Sequence, residues 1–257
     1  MIDLAAQLDL LWPAFAAGLI VLATHVPLGM QVLARGIIFI DLAVAQVAGF
    51  GALLAHQADH GDGPWAVQGA AVGAALLAAI LLQWSEKRWP QLQEALIGLM
   101  FVLAASATVL LLARDAHGGE HLRDLLVGQM LWVSRGQLLA AAMASILLLL
   151  AWRLFGGRGG SFAFYSLFAV AVTVSVQLVG VYLVFASLIV PALATSGMRR
   201  RRLLAGLGVG AAGYCGGLAL AAAADWPAGA ASVWALAATG LAFSFIRSAV
   251  ARHRAIC

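Results

Sequence analysis

The chain has 257 residues, of which 63% are apolar and only 10% charged, with a formal net charge of +4. Soluble domains carry roughly 25% charged residues, and a soluble fold of this size could not cover its surface with so few. A soluble globular domain, a disordered chain and a nucleic-acid binder are therefore excluded, which leaves an all-α polytopic membrane protein.

A mean hydropathy of +0.98 agrees. Nine spans of about 20 residues use ~180 residues and leave little chain for an extramembrane domain, so one transmembrane domain over 1–257 is expected. The chain opens Met1-Ile2-Asp3, with Asp9 following and no early Lys or Arg. A cleavable signal starts with a basic region and is not expected here.

In chain order the predicted spans are about 11–33, 36–56, 65–84, 94–113, 129–154, 161–178, 181–197, 203–224 and 229–247. Residues 161–197 form one long apolar stretch, and Gly180 is the expected break. The basic residues support that split. Arg35, Lys87, Arg88, Arg153, Arg158, Arg199 to Arg202, Arg247, Arg252 and Arg254 all fall on one side if there are nine spans. Arg114, Arg123 and Arg135 fall toward the other. The positive-inside rule makes the first group cytoplasmic, with the N-terminus outside and the C-terminus inside. Trp12, Trp65, Trp84, Trp89, Trp152 and Trp226 lie near span ends, as an interfacial aromatic belt requires. Small residues from Gly206 to Ala224 permit close helix packing in lipid. Cys215 falls in an apolar run and Cys257 ends the chain, so no disulfide between them is expected.

Signatures of soluble enzymes are missing. The sequence has no Gly-x-x-x-x-Gly-Lys-Ser/Thr loop, no His-Glu-x-x-His and no Gly-x-Ser-x-Gly, so no enzymatic activity is expected of this chain. Ionisable residues at membrane depth are costly and usually functional. Asp41, in Phe39-Ile40-Asp41-Leu42, is the foremost of them. It reads either as a pathway carboxylate or as a helix-cap acid near Arg35. His25 precedes Val26-Pro27-Leu28-Gly29 and reads either as a ligand or as a neutral histidine hydrogen-bonded between helices. Glu94 opens the fourth span, as a pathway acid or a first-turn cap.

The loops on the side opposite the basic cluster are rich in imidazole and carboxylate. One holds His56, Asp59, His60 and Asp62; the next holds Asp115, His117, Glu120, His121 and Asp124. That chemistry suits zinc and related metals. Gly61, Gly63, Gly118 and Gly119 argue against regular helices there, so a solvated polar loop and a transient metal or docking surface both stand.

Several segments resemble the membrane-spanning permease subunits of ABC importers for zinc and manganese. Pro27-Leu28-Gly29, then Arg35, then Asp41, match the family's Pro-Leu-Gly segment, arginine pair and Gly-Asp-x-x-x-His motif. Glu94-Ala95-Leu96-Ile97-Gly98-Leu99 resembles an acid-x-x-Ile-Gly-Ile/Leu segment. Leu126 to Ser134 resembles Leu-Phe-Gly-x-Leu-Leu-x-Val-Ser/Thr, and Val179 to Thr195 resembles Val-Gly-x-Leu-Leu-Val followed by Leu-Leu-Ile-Pro-Ala-x-x-Ala. Asp225-Trp226-Pro227-Ala228-Gly229 precedes the last span, also as in the family.

The resemblance implies a permease of the bacterial inner membrane that pairs with a second copy of itself. Each copy would bind a cytoplasmic ATP-binding subunit, and a periplasmic metal-binding protein would deliver the ion, zinc first and manganese or iron next. ATP hydrolysis would sit on the separate chain, and this chain would hold no cofactor. Asp41, His25, Gln46 and Glu94 would line the pathway, with Asp41 and His25 as metal ligands and His56, His60, His117 and His121 as further ones. Arg153, Arg158, Lys87 and Arg88 would meet the ATPase. Two departures stand out. The family's histidine, four residues after its aspartate, is here Ala45, with Gln46 beside it. The family's docking segment between spans five and six is reduced to Trp152 to Ser161, with Gly156, Gly157, Gly159 and Gly160. Coupling then falls to a shorter element, to another loop such as Ser85–Gln93, or is lost. The alternatives are an ATPase-independent carrier or partner subunit on the same scaffold, and a siderophore or haem permease, which predicts a wide apolar cavity.

Overall fold

The computed structural model describes residues 4–57, 64–113, 118–128, 130–155 and 160–256. These residues form ten α-helices: α1 Leu4–Arg35, α2 Ile40–Gln57, α3 Pro64–Arg88, α4 Gln93–Leu112, α5 Gly118–Val127, α6 Arg135–Phe155, α7 Gly160–Val179, α8 Val181–Ala194, α9 Arg202–Ala224 and α10 Ala228–Ile256. Single 3-10 turns lie at Pro90–Leu92 and Met130–Trp132. Eight of the helices are long and apolar enough to cross a bilayer. The fold is thus all-helical and multi-pass, as expected.

The seventh predicted span, 181–197, is α8, a shorter apolar helix outside those eight. Its 14 residues make ~21 Å of helix against a hydrocarbon layer of about 30 Å. It ends early because Thr195 turns its hydroxyl back onto the Pro191 carbonyl at 2.7 Å and Gly197 follows with φ +77°. The break before it falls at Gly180, as the charge pattern required.

Two expectations are corrected. The segment expected to start a span at 129 starts instead at Arg135. Gly128, at φ +73°, breaks the chain first. Ser134 and Gln137 then form a reciprocal cap: the Gln137 N–H donates to Ser134 Oγ at 3.2 Å and the Ser134 N–H to Gln137 Oε1 at 2.8 Å. The loop before it, expected to be irregular, contains α5. Gly118 and Gly119 stand at its first two positions, where a missing side chain costs least.

The packing has two wings joined by α7 and α8. α1 packs on α8, α9 and α6, whereas α2 packs on α3 and α4; α7 and α8 touch both groups. Phe164, Tyr165 and Phe168 of α7 are fully buried. The small residues of α9 act as the sequence suggested: a side chain at Gly210 would run into Leu22, and one at Gly217 into Ser232. Leu77, Leu103, Leu110 and Leu147 point outward, which is the ordinary state of a surface facing lipid.

Tyr214 of α9 ties the first wing to α8. Its ring lies on Gly18. Its hydroxyl sits 2.8 Å from Ser187 Oγ, which itself donates to the Leu183 carbonyl at 2.6 Å. Tyr214→Phe keeps the ring and removes the hydrogen bond. A loss of about 1 kcal/mol is expected, read as a drop of about 2–4 °C in the detergent-solubilised Tm.

Candidate functional site

The turn between α1 and α2 gathers the polar groups at one end of the bundle. α1 ends at Arg35, Gly36 takes φ +72°, and α2 begins at Ile40. The Arg35 guanidinium does not turn to Asp41. It reaches Glu86 of α3 at 3.4 Å and lies 4.2 Å over the Phe164 ring. Asp41, in the first turn of α2, is fully buried. Neither of its carboxylate oxygens has a hydrogen-bond partner among the described residues, so it caps no backbone N–H. A buried carboxylate in that state must be neutralised by a proton or answered by water or a cation.

Glu94 comes to the same turn from α4. Its Oε1 accepts the Phe39 N–H at 3.2 Å, while its Oε2 has no partner. Beside it, Gln93 donates to the Leu82 carbonyl at 2.9 Å and to the Tyr165 hydroxyl at 3.2 Å, and accepts from Ser85 Oγ at 2.7 Å. The start of α4 is therefore fastened to α3, to α7 and to the turn that opens the Asp41 helix. In the sequence Ser85 and Gln93 stand only as the bounds of a loop, and nothing local links them to Tyr165, 72 positions from Gln93.

Gln46 is buried but lies on a different face of α2 from Asp41. With Leu42, one turn earlier, it lines a cavity of about 660 Å³ between α2, α4, α5, α8 and α10. Gln46, Tyr182 and Trp234 carry the only polar atoms among the lining side chains. The other face holds Asp41 and Ala45, both without exposed surface. The position where the family carries its histidine is thus a core alanine in this chain.

His25 is fully buried in α1. Its Nδ1 lies 3.0 Å from Thr24 Oγ1 and 3.1 Å from the Val21 carbonyl, and its Nε2 has no partner. It does not hydrogen-bond Asp41, whose oxygens are also unpartnered. Ten residues of helix, ~15 Å, separate His25 from Arg35. Among the described residues no group of three or more His, Cys, Asp and Glu is placed to hold a metal.

His56 is exposed in the last turn of α2. His60, His117 and Arg158 lie outside the described residues, as does the side chain of His121 in α5. Lys87 and Arg88 are exposed in the last turn of α3, with Arg88 6.0 Å from the Trp89 ring centre. Arg153 is exposed in the last turn of α6.

At the opposite end, backbone meets backbone. A side chain at Gly128 would strike Val179 and Gly180, one at Gly180 would strike Val127 and Gly128, and one at Gly229 would strike the Val127 carbonyl. The end of α5 is thereby wedged between the α7–α8 break and the start of α10.

A family model for the ABC 3 transport family matches residues 7–156 and 160–248. Among solved structures, the chain is similar to PsaBC from Streptococcus pneumoniae in complex with Fab, at 20% identity and TM-score 0.74, covering 95% of each chain. It is also similar to an inward-facing conformation of a metal-chelate type ABC transporter, at 18% identity and TM-score 0.65, covering 95% of this chain and 90% of that one. At these identities the two structures show the shared fold. No curated protein matches the chain.

Proposed function

The chain belongs to the ABC 3 transport family of metal-type ABC transporter permeases, and on that premise we propose that it is the permease of an importer for a divalent transition-metal ion, zinc first and manganese or iron next. The carrying observation is Asp41, a buried carboxylate with no partner at the α1–α2 turn. Glu94, with one free oxygen at that turn, is the second pathway acid. Gln46 is the polar group of the open cavity. His25 comes after these three.

The reading places one permease domain over 1–257 in the inner membrane, with the Arg35 end cytoplasmic. The basic residues at that end support this orientation. Two copies would close the cavity of each against the other. A separate ATP-binding subunit would press on the cytoplasmic ends, at Lys87, Arg88, Arg153 and Arg158, and a periplasmic protein would deliver the ion. An ion passing an Asp and a Glu, with few other ligands, would be held weakly, which allows release.

A second reading is favoured by one observation: the cavity is wide and almost wholly apolar, which suits a metal carried in an organic chelate. Proteoliposomes holding this chain, its ATPase and its binding protein separate the readings. ATP-dependent uptake of radiolabelled zinc or manganese that needs all three parts is the expected result. Uptake only with a siderophore or haem present would favour the chelate. Uptake without the ATPase would favour a carrier.

A further inference from the structure

An aromatic pair stands at the Arg35 side of the cavity. Leu42 and Gln46 line the cavity from α2. Phe39 comes one turn before Leu42, where the chain enters α2, and so falls on the same face. Its ring is stacked on Phe185 of α8, with centroids 6.4 Å apart and an interplanar angle of 4°. Phe185 itself lines the cavity. An offset pair at this separation is an attractive contact, and here it bridges α2 to α8 just beyond Leu42.

The α4 wall leads to the same place. Phe101 and Ala105 line the cavity, and Gly98 and Glu94 continue that face toward the Arg35 end at helical spacing. Nothing lies within 4 Å of where a side chain would start at Gly98, so this strip of α4 is open down to Glu94. The Glu94 carboxyl turns to the pair: its Oε1 accepts the Phe39 N–H at 3.2 Å, and its Oε2 is buried without a partner among the described residues. Gln93 fastens the start of α4 to α3 and α7, so Glu94 is the fixed post. The turn that carries Phe39 is the part able to move, since Gly36 within it takes φ +72° with open space around it.

We propose that Phe39 and Phe185 form the barrier between the cavity and the Arg35 end of the bundle, and that Glu94 is the positioning residue that holds it shut through the Phe39 N–H. This rests on the reading of the cavity as the transport route. Swinging Phe39 off Phe185 with its turn breaks the N–H···Oε1 bond. The Glu94 carboxyl is then free to meet a cation in the same movement that opens the way out.

Thiol labelling tests this without any transported ion. The parent is the full chain with Cys215→Ser, Cys257→Ser and Ala105→Cys, which places one thiol in the cavity. Membrane vesicles of either sidedness are treated with a membrane-impermeant maleimide. Lys87→Cys, exposed at the Arg35 end, identifies the vesicles that present that end. From there Phe39→Ala and Phe185→Ala are each expected to label about fivefold or more faster than the parent. Glu94→Ala should also speed labelling, whereas Glu94→Gln, whose amide oxygen still accepts the Phe39 N–H, should not. Labelling from the opposite end should stay unchanged, which a general loosening of the bundle would not allow. Equal rates from the Arg35 end for Phe39→Ala and the parent overturn the barrier, and equal rates for Glu94→Ala and Glu94→Gln overturn the role of Glu94. If Phe185→Ala does not fold, Phe39→Ala, at a half-exposed position, decides alone. The uptake assay is separate, so the barrier and the importer reading fail independently.

Discussion

Asp41→Asn is expected to lower metal uptake by about tenfold or more, the scale on which groups around a metal route act, while the protein stays as stable as the wild type or becomes more so. The two halves of that expectation come from one observation. Both carboxylate oxygens are buried without partners, so the substitution breaks no hydrogen bond. It replaces a carboxylate, whose charge is costly to bury, by an amide of nearly the same shape that carries no charge, so stability is not expected to fall. A side chain kept for structure would behave the other way, with stability falling and uptake following protein level. Asp41→Ala should lose uptake equally, with membrane levels intact. Radiolabelled uptake normalised to protein, with Tm read on the same preparations, makes the comparison. Normal uptake by Asp41→Asn removes the carboxylate from the pathway, and a fall in Tm matching the lost uptake assigns it a structural role.

The second large effect lies at the other end of the bundle. Gly180 has φ +83° and ψ 162°, a region occupied almost only by glycine, where another residue costs about 1–3 kcal/mol. Strain is not the whole cost. A methyl group there would meet the Val127 and Gly128 backbone, and backbone cannot rotate away as a side chain can. Gly180→Ala must therefore push the end of α5 off the α7–α8 break. A Tm lowered by about 5 °C or more is expected, together with reduced recovery of folded protein. Gly240→Ala makes the contrast: it is helical and its close neighbour is chiefly the Val190 side chain, which can shift. Similar Tm values for Gly180→Ala and the wild type would mean that the wedge does not hold this end together.

How far the site could be read in advance differs by residue. Asp41 and Glu94 stood out because a charge in an apolar run is visible by itself. Gln46 was noticed only as the neighbour of a missing histidine. Asp41 and His25, expected together as metal ligands, lie in helices that make little direct contact, and neither hydrogen-bonds the other. Arg35 sits six residues before Asp41 in the chain but joins Glu86, 51 positions away. Glu94 meets Phe39 across 55 positions, and Gln93 meets Tyr165 across 72. In a membrane helix both the lipid face and the core face are apolar, so periodicity gives little guide to which face turns inward.

The membrane class, the helical content, the grouping of basic residues and the break at Gly180 are all legible along the chain. Each follows from a property of single residues or short runs: transfer free energy, charge, or a backbone angle that only glycine takes readily. Packing in three dimensions leaves Asp41 without a partner among the described residues, turns Gln46 rather than position 45 to the cavity, and wedges the α5 helix at the Gly128–Gly180 contact. These are statements about pairs of distant residues. They depend on helix rotation and neighbour choice, which short-range physics leaves open until the whole bundle has packed.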